Sequence, residues 1–364
     1  MLAPNIRTIP HAADLHLPMT NSYHNSFSVT PQEGMPEVLD ATLKLAVVVI
    51  TRNEEDHIAD CLTAIIVALR NFSGTRVIVV DSCSSDHTVE IARKFPVEIY
   101  RYQGPPFSAA AGRTVGFSYA RSKYVLFVDG DCCIEPGWLE RGLSAIESIP
   151  AIGVVYGQRR EVFENTTDDA IRAAPKATEY GLGGNGLYKS EVMKLAGGFN
   201  PYLPADEEAE LLARIKETNY RELAIPQVMF THYTLPKTTI RGYLGRVRRG
   251  LARGLGQTLR ISLRQGLFFY HARRLNRYLV ALGYLGIGIA SLIASIVLNK
   301  LIFLTAWGCL GLVVFGLLWM RRRSLRSTLY ILTDWLTIAL FIPVDFFRRP
   351  KKSEDFQPEV ERLQ

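Results

Sequence analysis

The pattern of hydrophobic positions changes twice along the 364 residues. Residues 1–40 are rich in Pro, His, Asn, Ser and Thr without periodicity, which predicts a flexible leader. From Leu45 onward, short unbroken apolar runs alternate with segments of helical spacing. Beyond residue 278 the apolar stretches become long enough to cross a bilayer. The pattern therefore predicts a leader, a folded domain over 41–236 and a membrane-associated part behind it.

The folded domain begins with strands and helices in alternation. Unbroken apolar runs are typical of strands buried on both faces of a parallel sheet. The predicted strands are 45–50, 76–80, 97–100 and 124–128, and the predicted helices between them are 54–70, 86–95 and 108–121. This order predicts the α/β class, a Rossmann-like and mostly parallel sheet with flanking helices and right-handed crossovers. Ligands should bind at the carboxyl ends of its strands.

Polar clusters follow three of these strands directly. They are Thr51-Arg-Asn-Glu54, Asp81-Ser-Cys-Ser-Ser-Asp86 and Asp129-Gly-Asp131. From 151 to 236 the pattern loosens, but the acidic run Asp206-Glu-Glu208 stands at the head of a helix predicted to end near Lys216. We expect the three strand-end clusters to meet at one rim of the sheet.

The last third of the chain is both apolar and basic. Residues 237–277 contain 11 Lys/Arg and no Asp/Glu among Leu, Tyr, Phe and Gly, which predicts a basic amphipathic segment at a membrane surface. Two apolar stretches of 20 residues each follow, 279–298 and 301–320, separated by Asn299-Lys300. They predict a transmembrane helical hairpin over 278–320, with two buried helices of a soluble core as the alternative.

The third hydrophobic segment, 327–347, contains Asp334, Pro343 and Asp345. Basic clusters precede the hairpin, follow it and follow the third segment. If all of them obey the positive-inside rule, the hairpin crosses twice and the third segment returns or lies in the interface. A third full span is the alternative. Residues 348–364 would then form a cytoplasmic tail.

Charge is divided as unevenly as hydrophobicity. Residues 1–236 carry 21 basic and 29 acidic side chains, and the last 128 residues carry 21 basic and 6 acidic ones. A chain that is 48% hydrophobic and 21% charged is neither disordered nor fibrous. The apolar, basic end favours an anionic membrane surface over nucleic acid as partner. The five cysteines include no CxxC pair, which argues against a disulfide framework or a zinc site. The first residues do not resemble a signal peptide, so we expect a cytoplasmic, reducing location.

The strand-end carboxylates suggest nucleotide and metal chemistry. Asp129 and Asp131 follow a buried strand two residues apart, and carboxylate oxygens are the ligands that Mg²⁺ or Mn²⁺ prefers beside a diphosphate. A solvated turn is the plain alternative. Asp81 could accept hydrogen bonds from a base or ribose, whereas Asp86 could simply cap the next helix.

Several spaced motifs over about residues 44–232 resemble family 2 inverting glycosyltransferases of the GT-A fold. The motifs, in the order found in that family, are Val47-Val-Val-Ile-Thr-Arg-Asn-Glu54, Val79-Val-Asp-Ser-Cys-Ser-Ser-Asp-His-Thr88, Ala111-Gly-Arg-Thr-Val-Gly116, Phe127-Val-Asp-Gly-Asp131, Gly197-Gly-Phe-Asn200 and Glu207-Glu-Ala-Glu-Leu-Leu-Ala-Arg214. A chain with this resemblance is expected to use a nucleotide-sugar donor and Mn²⁺ or Mg²⁺.

The resemblance also implies roles for individual residues. The nucleotide-sugar pocket would be lined by Thr51, Asn53, Glu54, Asp81, Arg113 and Asp129. The metal would be bound by Asp131, with Asp129 and His232 beside it. Glu207-Glu208 matches the family's Glu-Asp pair, whose second acid is the general base, so Glu208 is the expected base and Glu207 the alternative. The alternative is that the two acids have no catalytic role and only stabilise the start of the helix through its dipole.

These residues and the membrane segments together predict an enzyme at the inner or plasma membrane with a cytoplasmic catalytic domain. It would transfer a sugar to a lipid-linked saccharide in cell-surface polysaccharide or glycolipid biosynthesis. The candidate acceptor residues are Asn185, Trp138 and Arg249. Two alternatives remain, which are transfer to a polyprenyl phosphate and an inactive membrane scaffold of the same fold. No nucleic-acid partner is expected.

Overall fold

The computed structural model describes residues 42–163, 177–178, 184–234, 240–248, 250–264, 266–349, 351 and 353–364. The predicted leader and Arg249 lie outside these residues. The first elements are β1 Leu45–Thr51, α1 Ile58–Leu69, β2 Thr75–Asp81, α2 Thr88–Ala92, β3 Glu98–Gln103, α3 Ala109–Ala120 and β4 Tyr124–Asp129. All four predicted strands and all three predicted helices are confirmed. The first two helices are shorter than expected because polar turns precede them at the sheet edge.

These strands form the parallel part of a mixed sheet. They lie side by side in the order β3-β2-β1-β4, with β1 parallel to both of its neighbours. The register pairs Thr51 with Asp81 and Ile50 with Asp129. Because the carboxyl ends of these strands lie side by side, the polar clusters that follow them meet at one edge, as predicted.

Antiparallel strands extend the sheet beyond β4. They are β5 Cys132–Ile134, β6 Ile152–Phe163, β7 Ala177–Thr178, β8 Gly186–Lys189 and β9 Arg221–Thr234. The sheet continues from β4 through β8, β6 and β9 to β5, and β6 and β9 pair in parallel. The antiparallel pairing of β9 with β5 brings His232 opposite Cys132, next to the end of β4.

One expected acceptor residue lies in the core. Trp138 begins α4, Trp138–Ser148, and is 1% exposed. Its ring contacts Phe230 and closely approaches Gly142 and Gly157. The amphipathic α4 thus turns this indole inward, so Trp138 is part of the core, and its role at the acceptor site stays a prediction.

Two further helices and a basic helical segment follow. The helices are α5, Ser190–Leu195, and α6, Glu207–Lys216. The first turn of α6 is acidic, which confirms the predicted acidic helix start. The basic segment forms α7 Ile240–Arg248, α8 Leu255–Arg264 and α9 Phe268–Arg274, which we call the foot. The foot shares a small apolar core with the helices that follow it in the chain, and this core includes Leu259, Leu275, Tyr278, Ile338 and Ile342.

Three long apolar helices follow the foot. They are α10 Asn276–Val297, α11 Ile302–Arg322 and α12 Leu325–Phe347, with mean hydropathies of 2.2, 2.1 and 1.6. Each is long and apolar enough to cross a membrane, and few of their residues are fully buried. The α12 helix runs unbroken through Pro343, so it does not reverse direction as a re-entrant segment would.

The end of the chain returns to the central sheet. Strand β10, Glu359–Arg362, pairs antiparallel with β3 at the sheet edge. Phe356, just before it, is 3% exposed and lies edge-on to Tyr102 and Tyr202. The sequence predicted only a tail here, and the structure adds a strand that anchors this tail to the sheet.

Candidate functional site

The loop after β1 is fastened to the loop after β2. Asn53 adopts a left-handed conformation with a φ of 57°, and its side-chain oxygen accepts a hydrogen bond from the Ser85 amide at 2.8 Å. Its own amide donates to Ser84 Oγ at 2.9 Å. The Glu54 amide donates to the Thr88 hydroxyl at 2.8 Å. Short polar side chains tolerate such turns because they bond locally to the backbone. The two loops therefore form one rigid polar rim.

Asp81 lies at the floor of this rim. Its carboxylate is wholly buried and accepts hydrogen bonds from Arg101 Nε at 2.7 Å and from the Ser84 amide at 3.1 Å. A buried carboxylate is stable when it is paired in this way. Thr51, 4% exposed, ends the adjacent strand, and the Ser82 amide donates to its carbonyl at 2.9 Å. The rim thus holds a fixed acceptor group where the resemblance implies the nucleobase.

Arg113 connects the carboxylates on the other side of the rim. Its Nη2 donates to Asp129 Oδ1 at 2.7 Å and its Nη1 donates to Glu207 Oε1 at 2.8 Å. The same Nη1 lies 3.5 Å from Glu208 Oε1, and the Arg113 side chain is 2% exposed. The planar guanidinium suits several carboxylates at once. One buried cation therefore fixes the positions of three acids contributed by β4 and α6.

The segment before β8 closes over this cation. Gly184 has a φ of 82°, and a Cβ placed there would lie 1.8 Å from Arg113 Nη2 and 2.9 Å from Glu208 Oε1. Only glycine fits such a close approach. The next residue, Asn185, accepts from the Asp129 amide at 2.8 Å and is 4% exposed. The structure thus brings the predicted acceptor residue Asn185 to the site, where it orients Asp129.

A second polar group lies at the end of β4. The ligand atoms of Asp131, Cys132 and His232 all lie within 4.8 Å of one another, and His232 Nε2 is 3.1 Å from Asp131 Oδ2. Burial raises the pKa of Asp131, but the hydrogen bond and charge of His232 outweigh burial and hold the pKa below its ordinary value. An ionised carboxylate and an imidazole are suitable ligands for Mn²⁺. Asp131 and His232 therefore fit the predicted metal, while Asp129 pairs with Arg113 through Oδ1 and its role as a further metal ligand stays a prediction.

The acid expected to act as base has an unusual protonation equilibrium. Burial, and then the charge of Glu207, raise the pKa of Glu208 to about 8 against the opposing effect of Arg113. The Glu208 side chain is still 18% exposed, while Glu207 is 7% exposed. A carboxyl group with a pKa near neutrality is suited to proton transfer. Of the two acids, Glu208 combines this pKa with access to a ligand.

Comparison with known proteins decides the family of this domain. Residues 46–199 match the family described as glycosyl transferase family 2. The chain contains a family 2 glycosyltransferase domain.

Relatives agree with this assignment at low identity. The chain is 26% identical over 206 residues to the glycosyltransferase AglE of Haloferax volcanii, a match that covers 53% of this chain and 67% of that protein. It is 30% identical over 111 residues to the poly(ribitol-phosphate) β-N-acetylglucosaminyltransferase TarS of Staphylococcus aureus, a match that covers 29% of this chain and 19% of TarS. The chain thus spans about two thirds of the first relative and about a fifth of the second.

A solved structure extends the likeness to the fold. The mannosyltransferase PcManGT of Pyrobaculum calidifontis, in complex with GDP-Man and Mn²⁺, is 19% identical with a TM-score of 0.56, over 85% of this chain and 90% of that one. The sheet of the family 2 domain is therefore a GT-A-type sheet, as predicted, and apolar helices follow it.

Within the family 2 domain, the structure gathers most of the predicted site residues. The sequence had predicted every strand-end carboxylate of the site, but two other polar groups were not expected. Arg101, on β3, pairs with Asp81, and Cys132 adjoins the Asp131 and His232 pair. The Cys132 thiol is buried, which raises its pKa well above the ordinary value. The only sequence signal for it was its place directly after the Asp129-Gly-Asp131 motif.

Proposed function

We propose that this protein is an inverting, membrane-bound glycosyltransferase that transfers a sugar from a nucleotide-sugar donor to a lipid-linked saccharide, in cell-surface polysaccharide or glycolipid biosynthesis. The observation that carries the proposal is the cluster in which Arg113 holds Asp129, Glu207 and Glu208 together. The cluster supports the proposal because the candidate bases lie beside Asp129, the carboxylate expected to contact the donor.

The chemistry follows from these groups. The acceptor hydroxyl attacks the anomeric carbon, its proton passes to Glu208, and the bond from that carbon to the diphosphate oxygen breaks. Attack on the face opposite the leaving group inverts the anomeric centre. Asp131 and His232 would hold Mn²⁺ or Mg²⁺, which supplies positive charge to the diphosphate. Asp129, oriented by Asn185, would contact the donor sugar, and Asp81 with Thr51, Asn53 and Glu54 would surround the nucleoside.

The proposed orientation has the hairpin α10–α11 crossing an inner or plasma membrane while α12 lies along its cytoplasmic face. Three observations on α12 support this. Its first half contacts α7, where Arg246 Nη1 donates to the Tyr330 hydroxyl at 2.9 Å. Its end contacts the turn before α8, where the Gly254 amide donates to Asp345 Oδ2 at 3.1 Å. The strand β10 that follows joins the catalytic sheet.

A crossing by α12 would be incompatible with these contacts. A helix of 23 residues is about 34 Å long, so a crossing would carry its end to the far side of the bilayer. Asp345 and β10 would then lie across the membrane from α8 and β3. We therefore favour the interfacial alternative, with the catalytic domain in the cytoplasm.

Donor binding tests the proposed reaction. Purified protein in nanodiscs is tested in a thermal-shift panel of UDP-, GDP- and dTDP-sugars with Mn²⁺ or Mg²⁺, and release of nucleoside diphosphate is then measured with the best donor. We expect one donor class to stabilise the protein only with metal, and Asp131→Ala to abolish that stabilisation. A panel in which no donor changes the unfolding temperature, with no nucleoside diphosphate released, contradicts the proposal and favours the scaffold alternative.

Thiol labelling tests the orientation. Cysteines introduced by Asn299→Cys in the hairpin turn and by Ser353→Cys after α12 are probed with an impermeant maleimide on intact cells or spheroplasts. We expect only the Asn299→Cys variant to be labelled. Labelling of Ser353→Cys from outside would show that α12 crosses and would refute the orientation.

A further inference from the structure

We propose that Arg274, the last residue of α9 in the foot, is a positioning residue that sets the start of α6 and so aims Glu207 and Glu208 into the site. Arg274 reaches this helix through Asp206, whose carboxylate it binds. The inference deepens the proposed function and rests on it, since it concerns the same carboxylates.

Asp206 has a conformation that needs external support. It stands at the N-terminal cap of α6 with a φ of 73°, in the left-handed region that favours glycine. An aspartate at this position usually accepts a hydrogen bond from the first turn of its own helix. Here its side chain makes no capping bond, is 11% exposed and pairs with Arg274 instead. A bond from the foot therefore replaces the local bond that would normally define the start of α6.

The foot touches the residues before α6 at a second point. Gly254, in the turn before α8, has a φ of 100°, and a Cβ there would lie 2.8 Å from the Ala205 carbonyl oxygen. The backbone of this turn is therefore packed against the segment that leads into α6. Because Gly254 also donates to Asp345, the same turn connects α12 to this segment.

The other end of α6 is held as well. Lys216, its last residue, donates to the Tyr270 hydroxyl of α9 at 3.2 Å. The helix that carries both candidate acids thus contacts α9 at each end, at Asp206 and at Lys216.

Loss of Arg274 should therefore move the carboxylates without removing any group that touches the donor. Arg274→Ala leaves the buried Asp206 carboxylate without its cationic partner, which is costly unless the residue rotates toward water. Rotation of Asp206 changes the first turn of α6, where Glu207 lies 2.8 Å from Arg113. Since a misplacement of about 1 Å can slow a reaction roughly 100-fold, we expect kcat to fall by about 10- to 100-fold.

The test uses the full-length protein in lipid nanodiscs. Arg274→Ala is compared with Arg274→Lys, which keeps the charge, and with Arg273→Ala. Arg273 is the exposed neighbour on the same helix, so this control removes an equal charge from the foot. We measure release of nucleoside diphosphate, donor affinity with Mn²⁺ by calorimetry, and hydrogen exchange of the α6 amides. The second variant is Asp206→Asn, because asparagine tolerates a left-handed φ but carries no charge.

We expect Arg274→Ala and Asp206→Asn to lower kcat, leave donor affinity unchanged and speed exchange in the first turn of α6. Arg274→Lys should recover part of the rate and Arg273→Ala should match the wild type. Wild-type kcat in Arg274→Ala, an equal loss in Arg273→Ala, or a parallel loss of donor affinity would each overturn the inference. If the wild-type protein turns over no donor, the proposed function fails, whereas unchanged exchange in Arg274→Ala contradicts the positioning contact itself.

Discussion

The rate of sugar transfer should depend on pH through Glu208. A general base works only when it is deprotonated, and the pKa of this carboxyl is about 8 rather than its ordinary 4.5. About one Glu208 in ten is then ionised at pH 7 and about one in a hundred at pH 6. We therefore expect kcat/KM to rise about tenfold per pH unit between pH 6 and 7 and to level off above pH 8.

The assay measures nucleoside diphosphate release with donor and acceptor both below their KM, so that the profile reports the free enzyme. Glu208→Gln should lower the rate by about 10²–10⁴-fold and remove the inflection. Glu207→Gln is the matched control. Since the charge of Glu207 raises the pKa of Glu208, its removal should move the inflection to lower pH.

Stability gives a second measurement of the same pKa. A carboxyl group whose pKa is raised on folding favours the folded state below the unfolded pKa and loses that contribution as pH rises through the folded value. Glu208→Gln should therefore stabilise the protein relative to wild type at pH 9 but not at pH 4, in thermal unfolding.

A flat rate profile, an inflection near 4.5, or near-normal turnover in Glu208→Gln would refute the assignment of Glu208 as the base. Near-normal turnover would in addition favour a polyprenyl-phosphate acceptor.

Four other substitutions test separate parts of the site and fold. Gly184→Ala should abolish turnover and lower the unfolding temperature, because its Cβ would collide with Arg113; wild-type values in both measurements would contradict the close approach. Asp131→Asn and His232→Gln should each weaken Mn²⁺ binding in calorimetry by at least about tenfold, since each removes a metal ligand, and unchanged affinity would place the ion elsewhere. Phe356→Ala should destabilise the protein by about 3–5 kcal/mol in chemical unfolding, and a loss below about 1 kcal/mol would show that the tail is not part of the core.

The sequence could predict the rim of the site because its signals are local. Asp81 and Asp129 each follow an unbroken apolar run, and parallel strands bring such ends together. The observed register, with Thr51 opposite Asp81 and Ile50 opposite Asp129, is the direct consequence. The helix that carries Glu207 was equally visible, because its acidic start precedes an apolar periodic segment.

Contacts between distant segments gave no such signal. Strand β10 contains a single apolar residue, Val360, so its sequence does not stand out from a polar tail. It becomes a strand because the edge of β3 offers unpaired backbone groups. The pairing of Asp206 with Arg274 joins residues 68 positions apart, and composition cannot indicate which arginine of a basic segment reaches an acid. Burial of Trp138 likewise depends on which face α4 turns to the sheet.

Part of the basic charge in the last third of the chain is paired within the protein. The 21 basic and 6 acidic side chains after residue 236 suggest a strongly cationic membrane surface. Several of these arginines are instead paired within the protein. Arg253 Nη2 lies 3.0 Å from Asp345 Oδ1, and Arg260 Nη1 donates to the carbonyls of Phe346 and Arg348 at 3.1 and 2.9 Å. These bonds fasten α12 to α8, while Arg274 fastens α9 to Asp206. The basic segment thus connects the long apolar helices to the helix that carries the candidate base, and only part of its charge remains for the proposed contact with lipid phosphates.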